Sequence, residues 1–179
     1  MQVILTGDIG GTNARFVLFH DGVYQADSFR VIPVGEYSDL GDAVQEYLTQ
    51  IDAPVIDQAS FSFASTHEYQ DLMELTNSDL KVSVSGLVKR FQLQRARVVN
   101  DFTAAAVGVL SLPEHCLRIL NKGSPEPLGP KAVIGPGTGL GVSGLIYTGD
   151  YWLPLQSQGG HVTIGAQTDR ELAIYNVLE

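Results

Sequence analysis

The sequence predicts an α/β fold with a mixed sheet, followed by the start of a second, related domain. Three observations carry this. The first 34 residues read as short apolar runs joined by tight turns, an antiparallel meander. From residue 57 onward, strand-like and helix-like stretches alternate. Near residue 131 a strand, a glycine-rich turn and another strand repeat the plan of the N-terminus, which suggests two related halves meeting over one ligand.

In order, Val3-Ile4-Leu5 and Phe16-Val17-Leu18-Phe19 flank Gly7-Asp8-Ile9-Gly10-Gly11-Thr12-Asn13-Ala14-Arg15 and make a hairpin. Val23 to Val34 continues the meander, with Gly22 at a turn. Ser38 is placed to cap a helix whose Leu40, Ala43, Val44, Tyr47 and Leu48 share one face. Asp57 to Ala64 alternates Ala59, Phe61 and Phe63 as a strand does. Ser85 to Phe91 reads as a short helix, and Ala96-Arg97-Val98-Val99 as a strand ending at Asn100-Asp101. Phe102 to Leu110 is an alanine-rich helix. The prolines and glycines from Leu112 to Pro130 mark a connection, giving domains over residues 1–112 and 131–179 with a loop over 113–130. In the second domain, Lys131 to Ile134 and Val142 to Tyr147 are strands around Gly135–Gly141, and Asp169 to Leu178 is a helix.

At 179 residues with a net charge of −9, the chain is unsuited to nucleic acid or an anionic membrane as its main partner. One cysteine, Cys116, excludes an internal disulfide and a cysteine-based zinc site. No secretory leader or membrane-spanning run is visible, and a cytoplasmic location is expected.

The hairpin turn carries more chemistry than a turn needs. Its glycines allow backbone N–H groups to approach phosphate oxygens, and Asp8 suits a hydrated magnesium ion. The competing reading is a capped polar turn. Asp101, where a strand passes into a helix, is placed either to accept a proton from a substrate hydroxyl or merely to cap that helix. Gly135-Pro136-Gly137-Thr138-Gly139-Leu140-Gly141 is a second candidate phosphate turn. Gly139, Gly141 and Gly144 match the spacing of a dinucleotide fingerprint, but a strand follows where that fingerprint requires a helix. Gln158-Gly159-Gly160-His161 suits close contact with a many-hydroxyl ligand, although a lone histidine is more often structural.

Together these residues resemble the bacterial ATP-dependent glucokinase family of the actin-like sugar-kinase superfamily. Four stretches carry the resemblance in order: Gly7 to Arg15, Val99 to Ala104, Gly137 to Val142 and Gly159 to Val162. The resemblance implies a ribonuclease H-like fold and transfer of the ATP γ-phosphoryl group to the 6-hydroxyl of glucose or a similar hexose. By that resemblance, Asp101 is the catalytic base, and Asn100, Gln158, His161 and Gly137 bind sugar. Asp8, Gly10, Gly11, Thr12 and Asn13 serve ATP and Mg2+ on one side, with Gly137, Thr138 and Gly139 on the other. A homodimer is also within the family's range. The departures are Gln158, where the family carries glutamate, and Ala64-Ser65-Thr66-His67, where it carries an Ala-x-Pro turn. Thr76-Asn77 matches a family pair but lacks the usual nearby tryptophan. Members of the family continue well past residue 179. This chain is therefore expected to be an N-terminal portion, weak or inactive alone, or else a non-catalytic sugar- or nucleotide-binding module.

Overall fold

A computed structural model describes residues 2–64, 71–74, 80–137, 139–157, 159–162 and 165–178. The chain folds as two compact units, Met1–Lys122 and Gly123–Glu179.

The first unit opens with β1 (Val3–Ile9), β2 (Asn13–His20) and β3 (Val23–Pro33), paired antiparallel in sequence. The β2–β3 connection is Asp21-Gly22, both at positive φ, the conformation that matches the right-handed twist of its flanking strands. Then come α1 (Leu40–Gln50), β4 (Gln58–Phe63), β5 (Leu72–Glu74), β6 (Lys81–Ser83), α2 (Val84–Phe91), β7 (Arg95–Asn100) and α3 (Asp101–Val109). Strands β4 and β7 join the far side of β1 and run parallel to it, giving the sheet order β3-β2-β1-β4-β7. Three antiparallel strands beside parallel ones make this the mixed sheet that the sequence predicts.

The alternating apolar positions set which sheet face is buried. Val3, Leu5 and Ile9 of β1, Ala14, Phe16 and Leu18 of β2, and Ala59, Phe61 and Phe63 of β4 all point into one core. Gly7 stands in register with Phe16 on one side and Phe61 on the other. Those rings meet edge to face over it, with centroids 6.4 Å apart. Helix α1 lays Leu40, Ala43, Val44 and Tyr47 on this core, with the Tyr47 ring 5.2 Å from that of Phe16.

One boundary differs from expectation. Asp39 caps α1, its Oδ1 accepting from the Gly41 N–H at 2.7 Å, and Ser38 does not. The reason lies in β6, whose Lys81 N–H donates to the Ser38 carbonyl at 2.9 Å. That bond holds Ser38 as extended chain, so the helix starts one turn position later.

The strands β5 and β6 form a two-stranded ribbon too short to show a period in sequence. Asp71 ties this ribbon to α2: its carboxylate accepts from both the N–H and the hydroxyl of Ser85, each at 2.7 Å. The Ser85 hydroxyl bond and then the Ser85 amide hold the Asp71 pKa below its ordinary value. A lowered folded-state pKa means that the contribution is complete above the usual carboxylate range and is lost as pH falls through the lowered value. Acid titration followed at the Ser85 amide is therefore expected to show the start of α2 loosening in that window. Asp71→Asn should remove the transition.

The second unit contains β8 (Lys131–Pro136), β9 (Leu140–Tyr147), β10 (Trp152–Leu155) and α4 (Asp169–Leu178). Its sheet is antiparallel, in the order β10-β9-β8. β9 occupies the place where a dinucleotide fingerprint would need a helix, which disposes of that match. Leu145 is fully buried, while Ile134, Leu153 and Leu155 on the other face are exposed. From residue 111 to 130 the chain holds a short 3-10 turn at Glu114–Cys116 and no longer helix or strand. Among the described residues, no helix is long and apolar enough to cross a membrane.

Candidate functional site

The β1–β2 hairpin closes at the pair Ile9 and Ala14. Across its turn the Gly10 N–H donates to the Asn13 carbonyl at 2.9 Å. The Thr12 carbonyl accepts from the Val34 N–H at 3.0 Å, so β3 props the turn from behind. Gly10 and Gly11 are not at positive φ. What glycine provides at position 10 is clearance, because a Cβ there would stand 3.1 Å from the Asn13 oxygen. Gly11 and Thr12 are exposed at the tip.

Asp8 points to the other face of β1, away from the core. Its neighbours in the sheet are Arg15 and Ser62. Arg15 pairs with its Oδ2 at 3.1 Å, and the Ser62 hydroxyl donates to Oδ1 at 3.3 Å. Both charged side chains are about half exposed. The carboxylate is thus oriented from two sides yet open to water. Among the described residues no group of three or more His, Cys, Asp or Glu side chains could enclose a metal. A single oriented, hydrated carboxylate instead fits magnesium, which keeps its waters and takes one or two carboxylates plus phosphate oxygens.

Because β1, β4 and β7 are parallel, their carboxyl ends share one edge. Ile9, Phe63 and Asn100 lie in one row across it. Asp8 and the end of β7 are therefore two strand spacings apart, roughly 9–10 Å. Asn100 caps α3: its Oδ1 accepts from the Phe102 N–H at 3.0 Å and the Thr103 N–H at 3.1 Å. Asp101 Oδ1 shares the Phe102 N–H at 2.8 Å. Its Oδ2 has no partner among the described residues. The capping duty that sequence allowed for Asp101 falls mainly on Asn100, which leaves half of the Asp101 carboxylate uncommitted.

This division is testable. Asn100→Ala is expected to cost about 1 kcal/mol through the lost cap. Asn100→Asp should retain that stability in a urea melt, since its oxygen still accepts. If Asn100→Ala melts like the parent chain, the capping assignment is wrong.

In the second unit, the Gly137 N–H donates to the Gly139 carbonyl at 2.8 Å and closes the β8–β9 turn. The turn Gly159–His161 packs against the start of β9. A Cβ on Gly160 would overlap the Leu140 carbonyl oxygen, and one on Gly159 would come within 3.0 Å of Val142 Cγ1. Both glycines are thus needed for close approach, and they hold exposed His161 near the end of that hairpin. Thr138 and Gln158 lie outside the described residues, as do positions 65–67, 76 and 77. Sequence reasoning did not identify Ser62. Its outward place in β4 was legible from the alternation, but its meeting with Asp8 depends on β4 pairing parallel to β1.

Comparison with known proteins follows from this geometry. The glucokinase family model matches residues 5–179. A glucokinase of Hahella chejuensis is 35% identical over 178 residues, covering 99% of this chain and 55% of that protein. A glucokinase of Marinobacter nauticus is 37% identical, covering 97% and 54% respectively. The crystal structure of a glucokinase from an Antarctic psychrotroph superposes with a TM-score of 0.81 at 30% identity, over 98% of this chain and 56% of that one. The chain spans about half the length of the relatives it matches.

Proposed function

The chain belongs to the glucokinase family, and on that premise we propose that its residues serve transfer of the ATP γ-phosphoryl group to the 6-hydroxyl of glucose. The observation that carries this reading is Asp101. It sits at the carboxyl end of a parallel strand, with Oδ1 held by the Phe102 N–H and Oδ2 uncommitted. Ligands of open α/β sheets collect at that edge.

In this mechanism Oδ2 of Asp101 takes the hydroxyl proton as the sugar oxygen bonds to the γ-phosphorus. The bond from that phosphorus to the ADP oxygen breaks, and its electron pair leaves with ADP. Asn100, whose Oδ1 caps α3, holds the sugar beside Asp101. Gly10, Gly11, Thr12 and Asn13 serve the phosphates, with Gly11 and Thr12 exposed at the tip of the turn, and the role proposed for Gly137, Thr138 and Gly139 is likewise phosphate contact. His161, Gln158 and Gly137 contact sugar hydroxyls. Asp8 would hold hydrated magnesium, whose contribution is to neutralise phosphate charge. Gln158 offers one acceptor oxygen where a carboxylate offers two. Loss of a charge-assisted hydrogen bond costs about 1.5–3 kcal/mol, so glucose affinity should be one or two decades weaker than with glutamate.

The test is ADP release by the 179-residue chain with Mg-ATP across a panel of hexoses, paired with glucose calorimetry. Hexose-dependent release supports the reading and identifies the sugar. Glucose binding without turnover supports a sugar site that needs the remainder of a full-length kinase. Neither turnover nor binding overturns it in favour of a non-catalytic module.

A further inference from the structure

Resting on the reading of Asp8 as the magnesium carboxylate, we propose that Arg15 is the resident counter-ion of Asp8 and that a divalent cation reaching this carboxylate must displace it. Arg15 thereby becomes a positioning residue that acts through Asp8, in competition with the metal.

The sheet isolates the pair. Arg15 stands in register with Asp8 on one side and with Val31 on the other. Asp8 in turn stands beside Ser62, and Ser62 beside Val99. The row across the outward face of the sheet thus runs Val31, Arg15, Asp8, Ser62, Val99. Within it the guanidinium and the carboxylate have only each other as charged neighbours.

The two oxygens of Asp8 are held in unlike ways. Oδ2 takes a charged bond from Arg15 Nη1 at 3.1 Å, and Oδ1 takes a neutral one from the Ser62 hydroxyl at 3.3 Å. A neutral donor tolerates a metal ion on the same carboxylate. A guanidinium opposes it, since a single and a double positive charge about 6 Å apart in water repel by roughly one decade in affinity.

The charged bond is also one that can yield. Both of its side chains are about half exposed, and exposed ion pairs contribute little to stability. Releasing Arg15 leaves the β1–β2 ladder intact from Val3 and His20 to Ile9 and Ala14, and leaves Ser62 on Oδ1. Magnesium takes few protein ligands and keeps much of its water, so one freed carboxylate oxygen is enough for it.

The experiment uses Mn2+ alone in place of magnesium, because its unpaired electrons broaden the signals of nearby amides. The 179-residue chain is titrated with Mn2+ at low ionic strength, and broadening is followed at the Asp8, Ile9 and Ser62 amides. Arg15→Gln keeps a polar side chain without the charge, and it is expected to bind Mn2+ about three- to tenfold more tightly than the parent chain. Arg15→Lys keeps the charge and should stay within about twofold of the parent. Added KCl should narrow the gap between Arg15→Gln and the parent, which altered packing would not do. Asp8→Asn should abolish the local broadening and so assign it to this carboxylate. Equal or weaker binding by Arg15→Gln, equal tightening by Arg15→Lys, or a gap that salt leaves unchanged would overturn the counter-ion role while the magnesium role of Asp8 stands. Broadening that survives Asp8→Asn, or that is missing from the parent and Arg15→Gln alike, would remove the magnesium role and the counter-ion role together.

Discussion

Asp101→Asn is expected to lower hexose-dependent ADP release by about 10²- to 10⁴-fold while leaving glucose affinity nearly unchanged. Asparagine has the same shape, and its oxygen can still accept from the Phe102 N–H, so the start of α3 should survive. What disappears is a proton acceptor at Oδ2. The lost rate corresponds to about 2.7–5.4 kcal/mol of transition-state stabilisation, at 1.36 kcal/mol per decade. A change of that size in turnover, with the sugar Kd and the melting midpoint held, separates a chemical role from a structural one. Asn100→Asp supplies the contrast. It keeps the cap but replaces the amide donors with a second negative charge beside Asp101, so it should weaken sugar binding as well as turnover. Turnover within about threefold of the parent for Asp101→Asn would remove Asp101 from the proposed mechanism.

The site was legible in sequence where chemistry is local and obscure where it depends on pairing. Asn100-Asp101 stood out because a strand pattern ends there and a helix pattern begins. Which of the two caps the helix was not legible, since both side chains can accept from the first free N–H groups. The structure divides the task by backbone position: Asn100 is extended at φ −62, ψ 144 and reaches two amides, while Asp101 is already helical. Asp8 and Arg15 were visible in one motif, yet their ion pair follows from hairpin register. Ser62 completes the pair only because β4 lies parallel to β1. The cap at Asp39 was displaced from Ser38 by a bond to β6, forty-odd residues away in sequence. The three-residue strands β5 and β6 held too few positions for alternation to register. In the second unit, Gly159 and Gly160 read as suited to close contact with a many-hydroxyl ligand. Their structural reason is β9 pressed against them, the Leu140 backbone on Gly160 and the Val142 side chain on Gly159.

Gly7 invites the same reading, as the first glycine of a phosphate-binding stretch, and the structure assigns it to the core. A Cβ there would fall 2.8 Å from atoms of both the Phe16 and Phe61 rings. Gly7→Ala is therefore expected to destabilise the first unit by about 1–3 kcal/mol through overpacking. Phe16→Ala, which empties a fully buried site under Tyr47, should cost about 3–5 kcal/mol. The informative variant is the double one. With the Phe16 ring gone, one of the two obstacles to the new methyl is removed, and the methyl fills part of the space left behind. The double variant should be more stable than the sum of the single effects by at least about 0.5 kcal/mol. Native-state amide exchange along β1 and β2 measures this in the first unit alone, without mixing in the unfolding of the second. Strict additivity would mean that the two sites do not share their space, and that Gly7 is kept for its place before Asp8 rather than for the rings that close over it.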